Sequence, residues 1–118
     1  MRYFSWPFPP GAHDVQYATR AGGLQNCESY VRLEAPVEEC YALAAAIFAD
    51  EAKHLPHYTF PTFQPVSHPP REKGGGLPIG WFDNDHIAKG AVAGEGWGWQ
   101  SQIWIDDERG VFYYKVTD

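Results

Sequence analysis

One amphipathic helix limits the fold of this chain more than any other feature. Apolar residues recur at spacings of three and four from Pro36 to Leu55, which predicts a helix with one buried face. Pro36 suits the first turn, and Glu38 and Glu39 suit the positive end of the helix dipole. Pro56 ends the element. The predicted buried face consists of Val37, Cys40, Tyr41, Ala44, Ile47, Phe48 and Leu55, interrupted by Glu51.

The remaining segments predict β-strands. Alternating apolar and polar residues in 14–34, around Gly22 and Gly23, predict a first hairpin. A second hairpin is predicted in 101–118, around the turn "DDERG". Residues 57–68 contain two prolines and therefore predict only an edge strand. The segment "WFDNDHIAKG" predicts one short helical turn.

These elements predict an α+β fold. A single helix cannot cover both faces of a parallel sheet, and hairpins dominate, so we expect an antiparallel sheet. The prediction is about five strands in the order ββαβ(short α)ββ, with the long helix packed on one face. Residues 1–118 are predicted to form a single domain, and residues 1–11 an extended N-terminal arm rich in aromatic residues and proline. The second sheet face is left for the arm, a partner or a ligand.

Charge and composition exclude several classes of partner. The net charge is −6 and the nine Lys and Arg residues are scattered, so no basic patch for nucleic acid or an anionic membrane is predicted. No apolar run approaches the roughly 20 residues of a membrane span. No signal peptide is visible, so the chain is expected to be soluble and, by default, cytoplasmic, with its compartment unknown.

Catalytic and cofactor motifs are not found in the sequence. It contains no Gly-x-Ser-x-Gly elbow, no Cys-x-x-Cys pair and no phosphate-binding loop, so no cofactor is predicted. Cys27 and Cys40 are interpreted as two small buried residues with free thiols, with a disulfide between strand and helix as the alternative. A non-catalytic role is favoured over an enzymatic one.

Tryptophans in the last third of the chain suggest a contact surface. Aromatic residues make up 16% of the sequence, and glycines at 94, 96 and 98 leave room for a flat group beside two indoles. Glu95 has no evident structural purpose between those glycines. The first hypothesis is a binding or interaction domain with an aromatic sheet face or edge, whose partner is a protein, a peptide or a second copy held through the arm. The second is a small-molecule or carbohydrate-binding domain that uses Trp97, Trp99 and Glu95. The spacing of two places both tryptophans on one face, where a core role for at least one is favoured and an exposed platform is the alternative. The candidate contact residues for a ligand or partner are Trp81, Glu95, Trp97, Trp99 and Trp104.

A metal-assisted hydrolase is the third hypothesis. Imidazole and carboxylate groups are ligands for zinc and similar ions. The pattern is poor, because Pro56 separates the His-x-x-His pair, and helix capping and turns account for the same residues. The candidate ligands are His54, His57, Asp83, Asp85 and His86, with His68 in the loop between them.

Overall fold

The computed structural model describes residues 8–22, 26–66, 80–95 and 100–117. These residues form six strands, one α-helix and one turn of 3-10 helix between the third and fourth strands. The strands are β1 (His13–Gly22), β2 (Asn26–Glu34), β3 (Gln64–Val66), β4 (Gly90–Gly94), β5 (Gln102–Asp106) and β6 (Val111–Thr117), the helix is α1 (Val37–His54), and the 3-10 turn is Asn84–His86.

All six strands join one antiparallel sheet in the order β1-β2-β6-β5-β4-β3. The predicted α+β class is confirmed, and so are both predicted hairpins and the placement of the proline-containing strand at a sheet edge. The strand count is six rather than five, because β4 was not predicted. Its sequence, "GAVAG", has small residues between glycines and shows no alternation of apolar and polar residues.

The helix covers one face of the sheet, as predicted. It packs over β5 and β6, at the centre of the sheet. The strand register brings Leu33, Phe112 and Ile105 into one row beneath it, since these residues are paired across β2, β6 and β5. The helical residues buried on this face are Cys40, Leu43, Ala44, Ile47, Phe48 and Glu51. Leu43 was missing from the predicted stripe, whereas Val37 and Leu55 are only partly buried.

The turn between β5 and β6 is hydrogen-bonded to Ala35, the residue that follows β2. Gly110 has a left-handed backbone (φ 66°), and a Cβ there would lie 2.5 Å from the carbonyl oxygen of Ala35. The Ala35 N–H donates to the Gly110 carbonyl at 2.9 Å. Only glycine fits this turn without strain.

Both cysteines carry free thiols. Cys40 lies on the buried face of the helix. Burial, reinforced by the nearby Glu39 and Glu38, raises the pKa of its thiol to about 12. Cys27 is partly exposed, so the prediction that both cysteines are buried is wrong for this residue. The prediction of free thiols is confirmed, and the alternative of a strand-to-helix disulfide is wrong.

Within the described residues, no helix has the length and apolar character needed to cross a membrane.

Candidate functional site

A second apolar cluster covers the centre of the sheet face opposite the helix. Segment 80–89 crosses this face, and the Phe82 ring lies edge-on to three sheet residues: its centroid is 5.2 Å from Tyr30, 5.4 Å from Tyr113 and 5.9 Å from Trp104. Ile87 is fully buried beside them. The middle of this face is therefore closed within one subunit, and Trp104 belongs to its core.

A chain of charged groups fastens segment 80–89 to the same face. Two groups donate to the same oxygen atom, Oδ1 of Asp83: Arg32 Nε at 3.1 Å and the Tyr113 hydroxyl at 2.6 Å. Arg109 lies between two carboxylates, donating to Asp106 at 2.6 Å and to Asp83 at 3.5 Å. These contacts tie a loop to two strands and a turn.

The hydrogen bonds and burial in this network shift the pKa values of Asp83, Asp106 and Tyr113. Burial alone raises the pKa of Asp83, but hydrogen bonds from Tyr113 and Arg32 outweigh burial, so this pKa lies below its ordinary value. In Asp106, burial is likewise outweighed by the Arg109 side chain and two backbone N–H groups. Burial and the Asp83 hydrogen bond raise the pKa of Tyr113. These shifts favour an ionised Asp83 and Asp106 and a protonated Tyr113 at neutral pH, the states in which the carboxylates accept and the phenol donates the hydrogen bonds that hold segment 80–89 on the sheet.

Glu51 is a buried carboxylate at the C-terminal end of the helix. It accepts hydrogen bonds from the Ser101 backbone N–H at 3.2 and 3.4 Å and from the Tyr58 hydroxyl at 3.0 Å. The Ser101 hydroxyl is also buried and has no hydrogen-bond partner among the described residues. Glu51 therefore links the helix, the segment after it and the start of β5.

Replacing Glu51 with alanine is expected to lower the free energy of unfolding by about 1–3 kcal/mol, because the buried N–H of Ser101 loses its acceptor. Asp50 is the matched control, since it is the neighbouring acidic residue on the same helix. The Glu51 residue is 2% exposed, whereas the Asp50 side chain is 72% exposed. Asp50→Ala should change the unfolding free energy by less than about 0.5 kcal/mol. Urea denaturation measures both, and equal effects would contradict the structural role of Glu51.

The predicted aromatic contact residues occupy different environments. Trp104 is buried, and Trp81 is partly buried with its ring 6.2 Å from Phe82. Glu95 is exposed at the end of β4. Trp97 and Trp99 lie outside the described residues. The ligand-binding hypothesis that rests on these two tryptophans therefore stays a prediction.

The predicted metal ligands are brought together only in part. His86 lies near two carboxylates, with Nδ1 3.7 Å from Asp83 and Nε2 3.9 Å from Asp85. His54 is exposed and lies next to Asp50 of its own helix turn, and His57 is exposed with a left-handed backbone. His68 lies outside the described residues.

Sequence reasoning missed another group of ligands. Over the described ranges, a single set of three metal-ligating side chains is close enough to share an ion, and it consists of His13, Asp14 and Glu34. These residues belong to β1 and to the end of β2. Glu34 is distant in sequence from the adjacent residues His13 and Asp14, and it meets them through the strand pairing of His13 with Glu34. Alternation within each strand does not reveal that contact.

Among the described residues, the longer of the two edge strands of the sheet is β1. β1 has ten residues, and among the described strands it pairs only with β2. It carries two of the large apolar residues that are most exposed, Val15 at 47% and Tyr17 at 50%. β3, at the opposite edge, has three residues and contains Pro65. The two edges therefore differ greatly in their capacity to pair with another strand.

The described residues define a small α+β protein with one helix-covered sheet face, one face closed at its centre by a loop, and one long edge strand. Comparison of the chain with protein-family models, with curated proteins and with solved structures found no match. Its function is therefore argued from the geometry of its surface.

Proposed function

We propose that this chain is a non-catalytic protein-interaction domain that associates with a second copy of itself through edge strand β1. The observation that carries the proposal is the combination of a ten-residue edge strand with two half-exposed apolar side chains. An edge strand presents backbone N–H and C=O groups to which another strand can add. The net charge of −6 and the scattered basic residues argue against nucleic acid as the partner.

The strand register favours a symmetric pair. Centring an antiparallel β1–β1 pair on Tyr17 places the two Tyr17 residues opposite each other and Val15 of each copy opposite Thr19 of the other. Aromatic and β-branched pairs across neighbouring strands stabilise a sheet by about 0.2–1 kcal/mol each. Tyr17 of one copy thus meets Tyr17 of the other, Val15 of each copy packs on Thr19 of the other, and the two sheets become continuous.

The opposite edge favours a closed dimer over a fibre. β3 offers three residues, and Pro65 has no backbone N–H to donate. Among the described strands, β1 is the one long edge of each subunit. Association through β1 uses the same surface on both copies, and a two-fold interface of this kind is complete at two subunits. A second sheet cannot add at β3, so growth stops.

Light scattering of the full chain tests the proposal. The wild type is expected to show twice the mass of one chain at high concentration. Tyr17→Lys should show the mass of one chain, because a lysine on an edge strand opposes pairing. Phe60→Lys is the matched control: Phe60 is 59% exposed but precedes β3, so this variant should remain dimeric.

Circular dichroism spectra of the three proteins should agree, which shows that Tyr17→Lys acts on association and not on folding. A wild type that stays monomeric at every concentration would overturn the proposal. So would a Tyr17→Lys variant that is as dimeric as Phe60→Lys. Deleting residues 1–10 tests the other contact predicted from the sequence: the β1 interface is supported if the truncated chain stays dimeric and contradicted if only the deletion separates the subunits.

A further inference from the structure

We infer that His13, Asp14 and Glu34 form a zinc-binding site at the end of the β1 edge. The Nε2 atom of His13 lies 3.9 Å from Asp14 Oδ2 and 3.9 Å from Glu34 Oε1. The three ligand atoms all lie within 4.8 Å of one another. In a tetrahedral zinc site with bonds of about 2.0–2.2 Å, neighbouring donor atoms are roughly 3.3–3.6 Å apart. Small side-chain rotations close that difference.

An irregularity in β1 brings two adjacent residues to the same place. In a regular strand, consecutive side chains point to opposite faces of the sheet. The pairing register of β1 with β2 shifts between His13 and Gln16, and Asp14 has a left-handed backbone (φ 51°). The Asp14 carboxylate therefore lies near the His13 ring, while His13 pairs directly with Glu34.

Two contacts from outside the group orient the ligands. His13 Nδ1 lies 3.0 Å from the carbonyl oxygen of Gly11, which can only accept a hydrogen bond, so Nδ1 carries a hydrogen and Nε2 is the ring nitrogen that faces the carboxylates. Arg32 Nη1 donates to Glu34 Oε2 at 3.3 Å and leaves Oε1 directed toward His13. Histidines that bind metals commonly donate their other ring N–H to a backbone carbonyl in this way.

The chemistry of the group favours zinc among divalent cations. One imidazole nitrogen and two carboxylate oxygens form a mixed N/O set that suits Zn²⁺, whereas Mg²⁺ and Ca²⁺ prefer six or more oxygen ligands. The two carboxylates carry two negative charges, of which the Arg32 guanidinium on Glu34 offsets one, and the chain as a whole carries −6. The remaining local charge and the net charge of the chain both attract a cation. Three protein ligands leave a fourth tetrahedral position for water or another small ligand.

Isothermal titration of the full chain with ZnCl₂ tests this site. The wild type should bind one Zn²⁺ per chain at this position. His13→Ala should weaken binding by more than about tenfold, because even loss of a supporting contact to a metal ligand costs about 10–100-fold in affinity. Glu34→Gln, which keeps the shape of the side chain, should also weaken binding. MgCl₂ should give no comparable binding.

His54→Ala is the matched control. His54 is an exposed histidine with Nδ1 3.9 Å from Asp50 Oδ1, but no second carboxylate lies near it among the described residues. This variant should bind Zn²⁺ as the wild type does. The inference is overturned if the wild type takes up no Zn²⁺, if His13→Ala and His54→Ala behave alike, or if Mg²⁺ binds as tightly as Zn²⁺.

Nitrogen-15 NMR of the histidine rings gives a readout independent of affinity. Zinc should shift the Nε2 resonance of His13 and leave that of His54 unchanged. A zinc response confined to other histidines would also overturn the inference.

Discussion

Replacing Phe82 with alanine is expected to lower the free energy of unfolding by about 3–5 kcal/mol, the usual cost of removing a buried phenyl ring. Phe82 is 5% exposed and lies edge-on to Tyr30, Trp104 and Tyr113. Each such aromatic pair contributes about 0.5–1.5 kcal/mol beyond its buried area. Removing the ring leaves a cavity bounded by these side chains, which the surrounding sheet cannot fill.

Phe60→Ala is the control for this result. Phe60 is the more exposed of the two phenylalanines and has one described ring neighbour, Tyr58, at 5.3 Å. Its removal should change the unfolding free energy by less than about 0.5 kcal/mol. Urea denaturation followed by tryptophan fluorescence measures both variants. If the two midpoints shift equally, segment 80–89 does not close the second face, and the aromatic face expected from the sequence is open.

Gly90→Ala is expected to lower the free energy of unfolding by about 3 kcal/mol or more, at or above the upper end of the usual cost of overpacking. A Cβ at Gly90 would lie 2.0 Å from the carbonyl oxygen of Ile105 and 2.8 Å from a methyl carbon of Ile87. The oxygen belongs to the main chain of β5, the direct neighbour of β4, and cannot rotate away. The variant therefore has to separate two paired strands.

Gly80→Ala is its counterpart, because a Cβ at Gly80 would have no neighbouring atom within 4 Å. That substitution should be neutral or stabilise the chain by up to about 1 kcal/mol through the entropy of the unfolded state. Thermal unfolding followed by circular dichroism compares the two alanine variants. Equal melting temperatures would contradict the close approach of β4 and β5.

The elements predictable from sequence are those whose signal is local. The helix stands out because its apolar residues, from Cys40 to Phe48, repeat at helical spacing. The hairpins stand out through alternation and through turn residues such as Gly110. β4 has no such signal. Its Gly90 is required by the close contact with the carbonyl oxygen of Ile105, which belongs to another strand. A restriction imposed by a neighbouring strand cannot be recognised within a window of five residues.

The same reasoning explains which surface features could be foreseen. The sequence indicated that aromatic residues would matter on the second sheet face, but it could not indicate that segment 80–89 covers Trp104 and the centre of this face. The three ligands at the β1 edge depend on the pairing of His13 with Glu34 and on a shift of register near Asp14. Register is set by the whole sheet, so a search for spaced histidines favoured His54 and His57 instead.

The position of β6 has a consequence for how the chain folds. The hairpin of β1 and β2 joins the rest of the sheet through β6, where Glu28 pairs with Thr117 and Glu34 with Val111. These contacts link residues 77 to 89 positions apart in the sequence, and such non-local pairing slows folding because a long loop has to close first. During synthesis on the ribosome, the two halves of the sheet cannot unite until β6 has emerged. Before that moment β2 is a second unpaired edge, and a chaperone or another nascent chain can reach it.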